Sequence, residues 1–242
     1  DEDLVANFDK GLETNYPDDV KWAGLDEARQ NALKRLFGWI RSCVPAGANP
    51  NDLSTFKSEK FAKEIDQYFD KDFILTYYLW TDYFLSVDQR AKNMMLRTWD
   101  GLKWYITYYD GDTQLGKRND CFLVYVYTTD RDTYDAEASK YAFEGRDSWL
   151  WNLVLANLQD DLKRCAAKLR QVMTNERVLN MFNKEQSGHW SDRAFNKSGE
   201  LKYIKPAVQV MYGKLWPFIY ALQGSNISHR EYFIKNRFAL LD

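Results

Sequence analysis

A handful of residues near the middle of the chain have the types and spacing that metal-dependent group transfer needs. Asp88 and Asn93 stand five apart in VDQRAKN (87–93), and Asp110, Asp112 and Gly116 follow in YYDGDTQLG (108–116). Magnesium takes hard oxygen ligands, usually one or two carboxylates together with phosphate oxygens. Three acids and an amide meet that requirement if the sixteen residues between Asn93 and Asp110 fold back on themselves. Asp, Asn and Gly are also ordinary turn residues, so each one taken singly reads as structural. Order and spacing set the group apart. Histidine chemistry has little to work with. Of the two histidines, His229 lies in SHRE (228–231) and His189 in SGHWSDR, with no GxSxG, Walker A or GxGxxG motif in the chain.

The elements around these residues can position them. Residues 72–86, DFILTYYLWTDYFLS, are apolar nearly all round, which predicts a helix in the middle of the fold that ends just before Asp88. MMLRT (94–98) and KWYITYY (103–109) flank Asp100-Gly101, predicting a β-hairpin closed by a type I′ turn, in which both central residues take positive φ. Such a hairpin returns Asp110 towards Asn93. Upstream, Asp26 is a candidate N-cap for a helix carrying Ala28, Ala32, Leu33, Leu36, Phe37 and Ile40 at helical spacing. VPAGANPND (44–52) reads as a loop, and a second helix is expected from Ser58 with Phe61, Ile65 and Phe69 on one face. CFLVYVY (121–127) reads as a third strand or a buried crossing segment. Helices are expected over 148–158, 161–174, 176–184, 206–222 and 228–241, the last opened by a Ser228/Glu231 capping box. The stretch before Gly24 shows the turn-like YPDD (16–19) and no clear period.

Length and composition bound the class. At 242 residues with 16% aromatic content, the chain can bury a sizeable core. Gly and Pro make up 17 of 242 residues, below the usual share, which argues against a linker-rich chain or a turn-rich sandwich. A net charge of −2 argues against a protein that coats nucleic acid. Three widely spaced cysteines, Cys43, Cys121 and Cys165, form no CxxC pair and read as reduced thiols, mostly buried. No apolar run reaches the ~18–20 residues that span a bilayer, so no membrane span is expected. A start at Asp1 suggests an excised domain or a processed chain.

An Asp and an Asn five apart, then a hairpin, then a further Asp is the order that protein kinases use: the first Asp takes the hydroxyl proton, and the Asn and second Asp hold Mg²⁺. FILTYYLWTDYFLSVDQRAKNMMLRTWDGLKWYITYYDGDTQLG (73–116) resembles the core of CotH-type, spore-coat protein kinases, whose pattern is a buried helix ending in D-x-x-x-x-N, a hairpin, and an aromatic followed by D-x-D-x-x-x-G. The resemblance covers about 44 residues, with a looser match in HREYFIKNRFALLD (229–242). It implies an α+β, mainly helical fold corresponding to a protein-kinase-like large lobe, with a central β-hairpin and 1–242 as one domain. It also implies ATP with Mg²⁺ or Mn²⁺ and transfer to Ser or Thr, with Asp88 as catalytic base. Asn93, Asp110 and Asp112 are then metal ligands, and Arg90 and Lys92 phosphate contacts. No Gly-rich loop or strand-borne lysine of V-A-I-K type precedes the motif, so the small nucleotide-clamping lobe is not visible, and Ser86 stands where a catalytic-loop histidine would be.

YPDD, FNKSGELKYIKP (195–206) and LQGSNISHREYFIKNRFALLD (222–242) are similar to large virion proteins of crAss-like phages, tail components among them. That similarity implies a virion or host-cytoplasm location, with other virion proteins or a protein substrate as partners. Two readings therefore stand side by side: a phosphotransferase, and a non-catalytic structural module of a phage tail. A third, a sugar platform built from Trp149, Trp151, Trp190 and Trp216, competes with core packing for the two tryptophans in the apolar helix.

Overall fold

A computed structural model of the chain describes residues 2–11, 14, 20–86, 89–90, 93–109, 114–115, 148–186, 193–195, 201–203 and 226–242. They form a mainly helical α+β arrangement. Helices α1 (Glu2–Gly11), α2 (Glu27–Cys43), α3 (Glu59–Tyr68) and α4 (Lys71–Tyr83) precede a hairpin of β1 (Met95–Thr98) and β2 (Trp104–Thr107). Helices α5 (Trp149–Asn157), α6 (Gln159–Val172) and α7 (Asn175–Gln186) follow, then a short antiparallel pair, β3 (Arg193–Phe195) with β4 (Leu201–Tyr203), and helix α8 (Asn226–Leu241). No helix among the described residues is long and apolar enough to cross a membrane.

Helix starts follow the side chains at their caps. Asp26 accepts from the Arg29 amide at 2.8 Å, Ser58 from Phe61 at 3.3 Å and Asp70 from Phe73 at 3.0 Å, each satisfying an amide that the first turn leaves over. The expected faces are buried: Leu36, Trp39 and Ile40 on α2, then Phe61 and Ile65 on α3, with Phe69 just beyond the helix. Midway along α2, Gly38 is exposed, and a Cβ there would meet nothing within 4 Å. Gly38→Ala is therefore expected to stabilise the chain by about 0.5–1 kcal/mol, since alanine loses less backbone entropy in a helix. A urea midpoint at or below that of the parent chain would contradict this.

α4 is the central helix that its sequence predicts. Its first half enters a core with α2, α3, α5 and the hairpin, through Ile74, Leu75, Tyr77 and Tyr78. Its second half and the two residues that follow it enter another with Met173, Val178 and the α8 residues Phe233, Ile234 and Phe238, through Leu79, Tyr83, Phe84 and Leu85. Phe73 and Trp80 leave that enclosure and are partly exposed. The hairpin lies on α4, with Trp104 and Ile106 buried, Phe73 edge-on to Tyr105, and Phe69 bridged to Trp104.

The register Met95↔Thr107 to Thr98↔Trp104 matches the expected pairing, but the turn differs. Only Gly101 takes positive φ, at +72°, so this is not a type I′ turn. The Asp100 carboxylate instead accepts from the amides of Leu102 and Lys103 at 2.8 and 2.9 Å, an Asx-type closure of a five-residue loop. Those two amides hold the Asp100 carboxyl below its ordinary range. The tip is tied to α2, because Arg35 donates to the Leu102 carbonyl and Gly101 lies against Ala32.

Other departures have local causes. α1 is anchored by one large ring, Phe8, edge-on to Trp22 at 5.3 Å, too short a pattern to show a period. α8 starts at Asn226, so Ser228 lies inside its first turn and not at its cap. β3 and β4 pair around NKSGE, three residues a side, a hairpin with almost no strand signal. The expected turn at 16–19, the apolar stretch 121–127 and the helix over 206–222 lie outside the described residues. Of the cysteines, Cys43 is buried and Cys165 half-buried, both as free thiols, and Cys121 lies outside.

Candidate functional site

The carboxyl end of α4 forms the turn that precedes the candidate residues in the sequence. The Ser86 amide donates to the Thr81 carbonyl at 2.8 Å and the Leu85 amide to that of Asp82 at 3.2 Å, the paired bonds of a Schellman motif. Leu85 occupies the left-handed position, with φ of +50°, where glycine is usual. That backbone costs leucine about 1–2 kcal/mol. The side chain is fully buried in the second core, which returns about 1.5–3 kcal/mol and holds the turn in place. Leu115 is a second left-handed leucine, with φ of +59°, and its amide donates to the Phe84 carbonyl at 2.9 Å. The chain beyond the hairpin is thus bound to the same helix end.

Downstream of the turn, the described residues are held from several sides. Gln89 and Arg90 are buried. Tyr77 donates its hydroxyl to the Gln89 carbonyl at 2.7 Å, and the Trp151 indole donates to the Arg90 carbonyl at 2.9 Å. Gln89 Nε2 donates to the Tyr109 carbonyl at 3.1 Å, and the Ser86 and Tyr108 hydroxyls lie 3.1 Å apart. Tyr108 stands edge-on to both Tyr77 and Trp80. Burial of the two hydroxyls pushes the Tyr77 and Tyr108 phenols up, so both are neutral hydrogen-bonding groups at ordinary pH.

Arg90, expected at the phosphates, has its guanidinium inside the protein. Nε donates to the Thr81 hydroxyl and Nη2 to the Tyr78 carbonyl, both at 2.8 Å, and Cζ lies 3.7 Å from the Tyr78 ring centroid. Nη2 is also 3.2 Å from the Asp82 carboxylate. A second buried arginine reaches the same place from α8. Arg237 donates Nε and Nη2 to the Asp82 carbonyl at 2.9 and 2.8 Å, and Nη2 lies 3.3 Å from Asp82 Oδ1. Both charges meet the negative end of the α4 dipole as well as the carboxylate. Asp82 is the one acid inside an apolar run, a signal that marks it as paired in the fold. Nothing in the sequence points to Arg237 as its partner, 155 positions away.

Of the other candidate residues, Asn93 is half-buried two positions before β1. Asp88, Lys92, Asp110, Asp112 and Gly116 lie outside the described residues, as do His189, Trp190 and Trp216. No three His, Cys, Asp or Glu side chains converge among the described residues. The tryptophans proposed as a sugar platform divide: Trp151 is fully buried between Tyr77 and Tyr78, and Trp149 is exposed.

The molecule so defined is a mainly helical α+β chain whose central helix ends in a turn built by buried side chains. No family model, no curated protein and no solved structure matches it.

Proposed function

We propose that the chain is a CotH-like, kinase-fold domain that binds Mg²⁺ or Mn²⁺ with ATP and transfers phosphoryl groups to Ser or Thr, within a larger phage virion protein. One observation carries the reading. Gln89 Nε2 bonds the Tyr109 carbonyl at 3.1 Å, and these two residues are the chain neighbours of Asp88 and Asp110. In this reading Asp88 takes the hydroxyl proton of the acceptor. Asn93 offers an amide oxygen, and Asp110 and Asp112 offer carboxylates, to a metal ion that neutralises phosphate charge when bound. With Arg90 turned inward, Lys92 is the remaining phosphate contact of the two.

Burial of Arg90 also favours the second reading, a non-catalytic structural module of the tail, because it withdraws a cation from any phosphate. A thermal-shift titration with Mn²⁺, with and without ATP, separates the two. The phosphotransferase reading expects stabilisation by the metal. It expects Asp110→Asn to weaken that stabilisation about ten-fold in the Mn²⁺ midpoint, since a ligand charge is lost while volume is kept. Lacking a visible small lobe, the chain alone should transfer little phosphate. No response to Mn²⁺ in either protein supports the architectural role.

A further inference from the structure

Two buried arginines from distant parts of the chain end on one residue. Arg90 belongs to the segment that follows α4, Arg237 to α8, and both lie within 3.3 Å of Asp82 Oδ1. Arg237 does more than pair charge. Its fork takes the Asp82 carbonyl, the same oxygen that receives the Leu85 amide in the Schellman turn. Arg90 takes the Tyr78 carbonyl one turn earlier, and the Trp151 indole closes on the Arg90 carbonyl. The end of α4, the Leu85 turn, Arg90 and α8 therefore share one set of acceptors. A buried charge whose partner is withdrawn must find another or leave the interior.

We propose that Asp82 is a positioning hub that makes α8, the Leu85–Ser86 turn and Arg90 one cooperative unit, so that undocking of Arg237 releases that turn. The coupling is structural and does not depend on the phosphoryl-transfer reading. It places the control of that turn in a helix whose sequence lies more than 130 residues away. Anything that binds or displaces α8 then acts on the turn through Asp82, as a bias on a shared two-state element.

Hydrogen exchange by NMR on the full chain tests this, read at the Leu85 and Ser86 amides and the Trp151 indole N–H, with the Leu96 and Ile106 amides of the hairpin as reference. Arg237→Met keeps an unbranched side chain and removes the fork. It is expected to speed exchange at the three reporters at least ten-fold more than at the hairpin. Should that variant not fold, Arg237→Lys keeps the charge without the fork and is expected to give the same pattern at about three-fold. An equal rise at reporters and hairpin, or a rise confined to α8, would overturn the hub. Asp82→Asn must reproduce the pattern, and a map that spares Trp151 in that variant would also overturn it.

Discussion

Exchanging Asp82 for asparagine should cost about 3 kcal/mol of folding stability, read as a fall in the urea midpoint at unchanged m-value. The substitution keeps volume and leaves the main-chain carbonyl that Arg237 grips. What it removes is the carboxylate beside two guanidiniums whose side chains are at most 3% exposed. Breaking a buried pair from one side costs about 3–5 kcal/mol, and the partial exposure of Asp82 places the effect at the low end. Asp66→Asn is the control. Its pairing with Lys71 is 4.0 Å long and its own side chain is exposed, so its loss should cost under about 0.5 kcal/mol. Equal midpoints for the two variants would show that Asp82 is not acting as a buried counter-ion.

Trp151→Ala should be the more damaging change, at about 3–5 kcal/mol. The ring is fully buried, lies parallel to Tyr77 at 6.2 Å and tilted against Tyr78 at 5.6 Å, and its removal leaves a cavity in the first core. Trp151→Phe separates packing from hydrogen bonding. Phenylalanine keeps much of the ring contact but leaves the buried Arg90 carbonyl without the indole donor, which costs about 1–3 kcal/mol. If the Phe variant matches the parent in urea, the indole bond contributes nothing. A loss in the Phe variant that also lowers Mn²⁺ stabilisation would tie the core directly to the candidate loop.

Much of this architecture was legible because it is local. The apolar run of α4, the spacing of Phe61, Ile65 and Phe69, and the Asp-Gly hairpin each state their structure within a few residues. Asp100-Gly101 pointed to the right pairing and the wrong turn, because an aspartate can cap amides with its carboxylate as readily as adopt positive φ. The Asp82 arrangement was illegible for the opposite reason. Arginine reads as surface, and its partner sits on a helix brought close only by the second core. Trp149 and Trp151 show the same limit: two residues apart on one helix, one faces solvent and the other the core, and only the neighbours decide which.

The left-handed leucine at position 85 bears on when the end of α4 comes into being. A glycine would end the helix wherever the chain happened to be, in a short peptide or on a ribosome. Leucine ends it only where a pocket formed by Phe84, Phe238 and their neighbours receives the side chain and offsets the backbone cost. A peptide spanning 71–86 should accordingly show no defined stop at Tyr83. The bend after Tyr83 is a property of the completed fold, and a chain lacking α8 should carry the leucine in its sequence without that turn.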